Sequence, residues 1–355
     1  MTLIIAEAGV NHNGDKDLAF QLVDAAFHAG ADIVKFQTFT AQKLASKTAK
    51  KADYQLKNTG KVESQYEMLE RLELPLETYL QLKEYCEDLG IEFLSTAFDE
   101  DSLKFLAGDI GLQRLKLPSG DLTNSPLVLA HAQTGCDLIV STGMASLGEI
   151  EEALGIIAFG YLHKKKKLPC KSGFKEAYAS AEGQRILSKK VILLHCTTEY
   201  PAPVSEINLN VMNSYKIAFG VNVGYSDHSQ GIAVPIAAVA KGAVIIEKHF
   251  TLSRTMDGPD HKASLEPSEL KTMVDAIRDI ELALGTSVKA PTLSEVKNKD
   301  IARKSLIASK RISKGEKLTA DNITIKRPGG GIDPINYWDV LGTFALKEYE
   351  ADDLL

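Results

Sequence analysis

The chain has 355 residues, 44% hydrophobic and 25% charged, with 41 Lys and Arg against 47 Asp and Glu and a net charge of -6. That length predicts one large domain with a proper core and a small second one, and the mild acidic balance offers no basic footprint for nucleic acid. There is no run of about 18 apolar residues to span a membrane. The N-terminus, MTLIIAEAGV, carries no basic leader and Glu7 interrupts its apolar run, so no signal peptide is expected. Cys86, Cys136, Cys170 and Cys196 form no CxxC pair, which predicts reduced thiols in a cytoplasmic protein.

Short apolar runs alternate with amphipathic helical segments over about the first 285 residues. The predicted strands, in chain order, are Leu3–Val10, Ile33–Phe39, Ile91–Phe98, Arg114–Gly120, Asp137–Met144, Val191–Thr197, Asn222–Asp227 and Val244–Thr251. Between them lie helical stretches such as DLAFQLVDAAFHAG, LETYLQLKEYCEDLG, GIAVPIAAVAKGA and SELKTMVDAIRDIELALG. The strands are too apolar to have a wet face, as expected when helices cover a parallel sheet. Eight strand–helix units predict an α/β fold, a (β/α)8 TIM barrel over residues 1–287.

Two regions break the rhythm. Residues 41–73 read as a long polar loop after the second strand, where a barrel places an active-site cover. Residues 160–190 read as a solvated surface insertion with nine Lys and Arg, Lys164–Lys167 among them, against two Glu. Residues 288–300, with Pro291 and no clear period, read as a linker. Short strand-like pieces (SLIASKRI, NITIKRP, FALKEY) separated by SKGE and PGGG turns then predict a small β-rich domain over 301–355.

Barrel active sites sit at the carboxyl ends of the strands, and there this sequence is unusually polar. Strand side chains alternate faces, so Lys35/Gln37, Ser226/His228 and Glu247/His249 each project as pairs. Burying so much polarity without a ligand would be costly. His228 and His249 end neighbouring strands about 5 Å apart, close enough to hold one divalent metal, although two core or surface histidines remain the alternative. No third His or Cys stands in zinc-site spacing, so manganese or magnesium completed by water and substrate oxygens fits better. Lys35 and Lys116 with Ser119, Ser141 and Ser226 suggest a pocket for phosphate and carboxylate together. Asp121 and Glu7 are candidate bases. These residues suit either a condensation of phosphoenolpyruvate with an aldehyde or a metal-dependent aldol reaction.

The segments EAGVNHNG (7–14), VKFQTF (34–39), KLPSGD (116–121), STGM (141–144), HCTTEYPAP (195–203), GYSDHS (224–229) and EKHFTLSRTMDGPDHKASLEP (247–267) together resemble the sialic acid synthase family. The tail KGEKLTADNITIKRPGGG (314–331) resembles that family's C-terminal antifreeze-like (SAF) domain. The resemblance implies a Mn²⁺-using synthase (Mg²⁺ or Co²⁺ being alternatives) that joins phosphoenolpyruvate to N-acetylmannosamine. The alternative acceptor is the 2,4-diacetamido-2,4,6-trideoxymannose of the legionaminate branch. It implies metal ligation by His228 and His249, and phosphoenolpyruvate contacts from Lys35, Thr96, Lys116, Ser119, Ser141 and Ser226. Glu7, Gln37, Tyr200 and Asp260 would face the sugar. It further implies a domain-swapped homodimer in which Arg327 of the small domain reaches the other subunit's N-acetyl group. Two positions depart from the family pattern: Thr198 stands where some members place a phosphate-contacting Asn, and Asp121 where some place a Glu. A sugar-phosphate synthase, a metal aldolase and a non-catalytic carbohydrate-binding protein are the competing readings.

Overall fold

The computed structural model describes residues 1–59 and 63–355; residues 60–62, within the predicted cover, lie outside the described set. The chain divides into two units, Met1–Gly285 and Thr286–Leu355.

In the first unit, β1 (Leu3–Gly9), β2 (Ile33–Thr38), β3 (Glu92–Ala97), β4 (Arg114–Leu117), β5 (Asp137–Ser141), β6 (Val191–His195), β7 (Asn222–Asp227) and β8 (Ile245–His249) close into one parallel barrel in sequence order. The predicted strands are all present; the seventh, Asn222–Asp227, has its predicted limits and the other seven are shortened at their ends. The fold is a TIM barrel.

The helices outside it are α1 (Lys16–Ala29), α2 (Ala41–Leu44), α3 (Asp53–Thr59), α4 (Gln65–Leu72), α5 (Leu76–Leu89), α6 (Glu100–Lys104), α7 (Ser125–Thr134), α8 (Leu147–His163), α9 (Lys171–Ala179), α10 (Ala181–Lys190), α11 (Val211–Phe219), α12 (Ala233–Ala240) and α13 (Pro267–Leu284). Their limits follow local chemistry. Asp15 caps α1 by accepting from the Asp17 and Leu18 amides, and Gly30, with φ +81°, ends it in the left-handed region. Ser64 with Glu67 and Ser146 with Glu149 form capping boxes that start α4 and α8. Ile4, Leu22 and Ile33 are fully buried where strands meet helices, each contributing about 1.5–3 kcal/mol.

The two irregular regions are more ordered than the sequence pattern predicts. The cover over 41–73 contains α2, α3 and α4. Met68, Leu69 and Leu72 of α4 pack with Val10, Phe39 and Ala41 in a hydrophobic cluster separate from the barrel core. In the 160–190 insertion a continuous exposed stretch runs from Lys164 to Ser172, and the helices that follow are partly buried. Helix α9 packs on α8, with Phe174 against Phe159 and Ala177 and Leu187 buried. Charge dominates the composition there and hides these few apolar anchors.

In the second unit α14 (Leu293–Ala302) occupies most of the predicted linker. Its capping box pairs Thr292 with Glu295, and none of its residues is buried, so no apolar period marks it. The T-x-x-E spacing was the available signal. β9 (Ser305–Ala308) pairs antiparallel with β10 (Ile323–Lys326), while FALKEY forms only isolated bridges. Ala308, Ile312, Leu318, Ile323, Ala345 and Tyr349 make this unit's small core. Among the described residues no helix is long and apolar enough to cross a membrane.

Candidate active site

Strand register decides which polar residues meet at the barrel mouth. Glu7 pairs with Lys35 on one side and His249 on the other, Gln37 with Thr96, Thr96 with Lys116, and Ser226 with Glu247. Their side chains line a cavity of about 350 Å³ at the carboxyl ends of the strands. Ser119, Ser141, Tyr200, His228 and Asp260 also face it. Gly9 sits at a shift in the β1 register with φ +55°, and a Cβ there would lie 3.3 Å from Glu7 Oε1 and 3.4 Å from His249 Cε1. A side chain at this position would combine backbone strain with crowding of the site.

Two lysines and two glutamates occupy the floor, all buried. Lys35 Nζ lies 2.5 Å from Glu7 Oε2, 3.6 Å from Glu247 Oε2 and 3.2 Å from Thr96 Oγ1. Lys116 Nζ lies 3.5 Å from Glu247 Oε1, which also accepts from Ser226 Oγ at 2.8 Å. These surroundings separate the two carboxyl groups. Burial favours protonation of Glu247, but the Lys116 and Lys35 ammonium groups overcome it and hold its pKa at about 2. Glu7 moves the other way: burial, against Lys35 and reinforced by the Glu247 charge, raises it above the usual carboxylate value. Burial also lowers Lys116, while the two carboxylates outweigh burial at Lys35 and raise it.

Beside this floor the His228 and His249 rings stand 5.6 Å apart. His228 Nδ1 lies 2.6 Å from the Thr197 carbonyl oxygen, so Nδ1 carries the proton and Nε2 keeps its lone pair. His249 Nδ1 is buried with no hydrogen-bond partner. Burial lowers both pKa values, and at His249 the neighbouring His228 and Lys35 lower it further. Two neutral imidazoles with free lone pairs fit a divalent cation. Among the described residues no group of three or more His, Cys, Asp or Glu could hold a metal, so water or substrate would complete the sphere.

Across the cavity, Ser141 Oγ and Thr198 Oγ1 are buried without partners. Ser119 Oγ accepts from the Gly143 amide at 2.9 Å. A Cβ at Gly143 would lie 3.0 Å from Ser119 Oγ and closer still to Thr198 Oγ1, so glycine keeps this hydroxyl-lined recess open. Asp260 is pushed up to about 7 by burial, with the Glu7 charge adding to it. Tyr200 lies against the His228 ring at 4.1 Å and against Tyr54 of α3 at 4.9 Å.

Residues 22–289 match the NeuB family and residues 303–355 match the SAF domain. A relative from Campylobacter jejuni named N,N'-diacetyllegionaminic acid synthase is 49% identical over 354 residues, covering 100% of this chain and 98% of that protein. The chain belongs to the NeuB family, that of the sialic acid synthases. A relative of the same name from Legionella pneumophila is 43% identical, covering 96% of this chain and 89% of that one. Among solved structures, N-acetylneuraminic acid (sialic acid) synthetase from Leptospira borgpetersenii is 34% identical with a TM-score of 0.65, covering 84% of this chain and 90% of that one.

Of the site residues expected for a NeuB member, Glu7, Lys35, Gln37, Thr96, Lys116, Ser119, Ser141, Tyr200, Ser226, His228, His249 and Asp260 come together at the cavity. Asp121 does not line it; its carboxylate accepts from Asn124 Nδ2 at 2.9 Å. Arg327 belongs to the second unit, where its Nε donates to the Ala302 carbonyl at 3.0 Å. Sequence reasoning gave Glu247 no role, although its i, i+2 spacing to His249 already aimed it inward. The contribution of Tyr54, Gln55 and α4 to the cavity wall had no sequence signal, because it depends on how the cover folds back.

Proposed function

We propose that this NeuB-family chain is a metal-dependent synthase that condenses phosphoenolpyruvate with 2,4-diacetamido-2,4,6-trideoxymannose, giving N,N'-diacetyllegionaminate and phosphate. The observation that carries the chemistry is the pair of buried lysines, Lys35 and Lys116, set around an ionised Glu247 beside two neutral histidines. N-acetylmannosamine was the leading expectation from sequence. The 49% and 43% identical relatives named for the legionaminic product favour the diacetamido sugar instead.

In this reading Lys35 and Lys116 receive the carboxylate and phosphate of phosphoenolpyruvate, with Ser141 and Thr198 supplying unpaired hydroxyl donors. The vinyl carbon forms a bond to the aldehyde carbon of the sugar. Water adds to the former enol carbon, and its carbon–oxygen bond to phosphate breaks. Mn²⁺, or Mg²⁺ or Co²⁺ in its place, held by His228 and His249 would polarise the aldehyde oxygen as a Lewis acid. Glu7 and Asp260 face the same cavity with raised pKa values, while Glu247 remains a fixed anion, so Glu7 and Asp260 are the carboxyl groups suited to carry a proton. The Asp121 carboxylate lies outside the cavity lining and is the weaker candidate for that role. The four cysteines are free thiols, in keeping with a cytoplasmic enzyme. The site would be completed in a homodimer by Arg327 of the partner subunit.

The test is phosphate release from phosphoenolpyruvate with Mn²⁺, comparing the diacetamido sugar with N-acetylmannosamine. Preferential release with the diacetamido sugar supports the proposal. Preference for N-acetylmannosamine returns the chain to the neuraminate branch, and release with neither removes the synthase reading.

A further inference from the structure

The cavity has two chemically different sides. One carries the lysines, histidines and hydroxyls just described. The other is mainly apolar, with Gln55 and Gln65 the polar side chains that the cover adds to the lining: Val10, Met68, Leu69, Leu72 and Phe98 all face the cavity. Four of them form one hydrophobic cluster, with Phe98 packed against it. Three come from α4, so the cover itself supplies most of this wall.

Its position follows from the chain. Val10 lies three residues beyond Glu7, and Phe98 two beyond Thr96, so the wall rises over the mouths of β1 and β3. Gln37, between them on β2, donates to Glu7 at 3.1 Å. The hydroxyl recess of Ser119, Ser141 and Thr198 is built instead on β4, β5 and β6 and the segments following them. The wall therefore adjoins Glu7 and Gln37, which the family resemblance assigns to the sugar, and is built on other strands than the Ser119, Ser141 and Thr198 recess.

An apolar wall is a poor match for a fully hydroxylated hexosamine, whose hydroxyl groups would lose water without gaining partners. It suits methyl groups. We propose that Met68, Leu69 and Phe98 determine specificity by taking the C6 methyl and the C4 acetamido methyl of a 6-deoxy, 4-acylamino sugar. This rests on the condensation proposed above and adds the residues that select its acceptor. A structural role for the same side chains in anchoring α4 is compatible with it, because Phe39 and Ala41 complete that anchor away from the cavity lining.

The experiment compares kcat/KM for the diacetamido sugar and for N-acetylmannosamine in the wild type, Met68→Gln and Phe98→Tyr. Both substitutions put polarity into the wall with little change in shape, and they lie on different elements, so misfolding of α4 would leave Phe98→Tyr informative. A methyl-sized group in an apolar pocket is worth about 10- to 200-fold in discrimination. The wild-type preference for the diacetamido sugar is expected to fall about tenfold or more in each folded variant. A preference unchanged in both variants overturns the assignment of the wall. A wild type that does not use the diacetamido sugar at all instead overturns the proposed acceptor, a separate result readable before any variant is made.

Discussion

Glu247 Oε1 lies 3.5 Å from Lys116 Nζ, and both side chains are buried. Among the described residues only Glu247 reaches both lysines of the floor: its other oxygen lies 3.6 Å from Lys35. Without it, Lys116 would be left as a buried ammonium with no carboxylate within ion-pair distance among the described residues.

Glu247→Gln is therefore expected to destabilise the barrel, since removing one partner of a buried ion pair costs roughly 3–5 kcal/mol. Urea unfolding with and without phosphoenolpyruvate checks this. The ligand's anionic groups should replace the missing charge, so added phosphoenolpyruvate stabilises the variant more than the wild type. Equal stabilisation of both would show that phosphoenolpyruvate does not contact Lys116.

His228→Ala and His249→Ala are each expected to abolish Mn²⁺-dependent phosphate release while preserving the circular dichroism spectrum. Calorimetry should show Mn²⁺ affinity lowered at least about tenfold, in the range that loss of a supporting contact to a metal site already produces. Chelation should silence the wild type and Mn²⁺ should restore it. Full activity in rigorously chelated buffer would remove the metal from the proposal.

Arg327→Ala should raise KM for the sugar about tenfold or more, the effect of losing a hydrogen bond from a charged donor. Its stability effect should be small, because the bond to the Ala302 carbonyl is exposed. Steady-state kinetics with varied sugar, alongside thermal unfolding, separates the two. Unchanged sugar affinity and rate would exclude Arg327 from acceptor recognition.

Acid should weaken the fold through His131. Its ring is buried in α7, with Nδ1 donating to the Leu127 carbonyl at 2.8 Å, and burial lowers its pKa from 6.5 to about 4. Because the folded pKa lies below the unfolded one, the unfolded chain takes up the proton first. The stabilisation is complete above pH 6.5 and is lost as pH falls toward 4, on the order of 3 kcal/mol in all. Unfolding free energies measured over this range should decline less steeply for His131→Leu than for the wild type. Parallel slopes would mean that His131 does not carry the acid sensitivity.

Much of the site was legible because the relevant patterns are local. Lys35 and Gln37, or Ser226 and His228, share a strand face at any register. That Asp121 is not among the cavity-lining residues was not legible, for the complementary reason. It follows β4 in a short 3₁₀ turn, Ser119–Asp121, where strand alternation no longer says which way a side chain points.

By itself the sequence determined the eight-stranded barrel, the order of its strands and the family, because apolar alternation and ordered motifs are carried by neighbouring residues. Tertiary structure decided that Glu247 joins Lys35 and Lys116, that α4 turns its apolar face into the cavity, and that Asp121 stays out of it. Those outcomes depend on closing β1 against β8 and on folding the cover across the barrel mouth. They bring together groups far apart in the chain, and no local periodicity encodes that meeting.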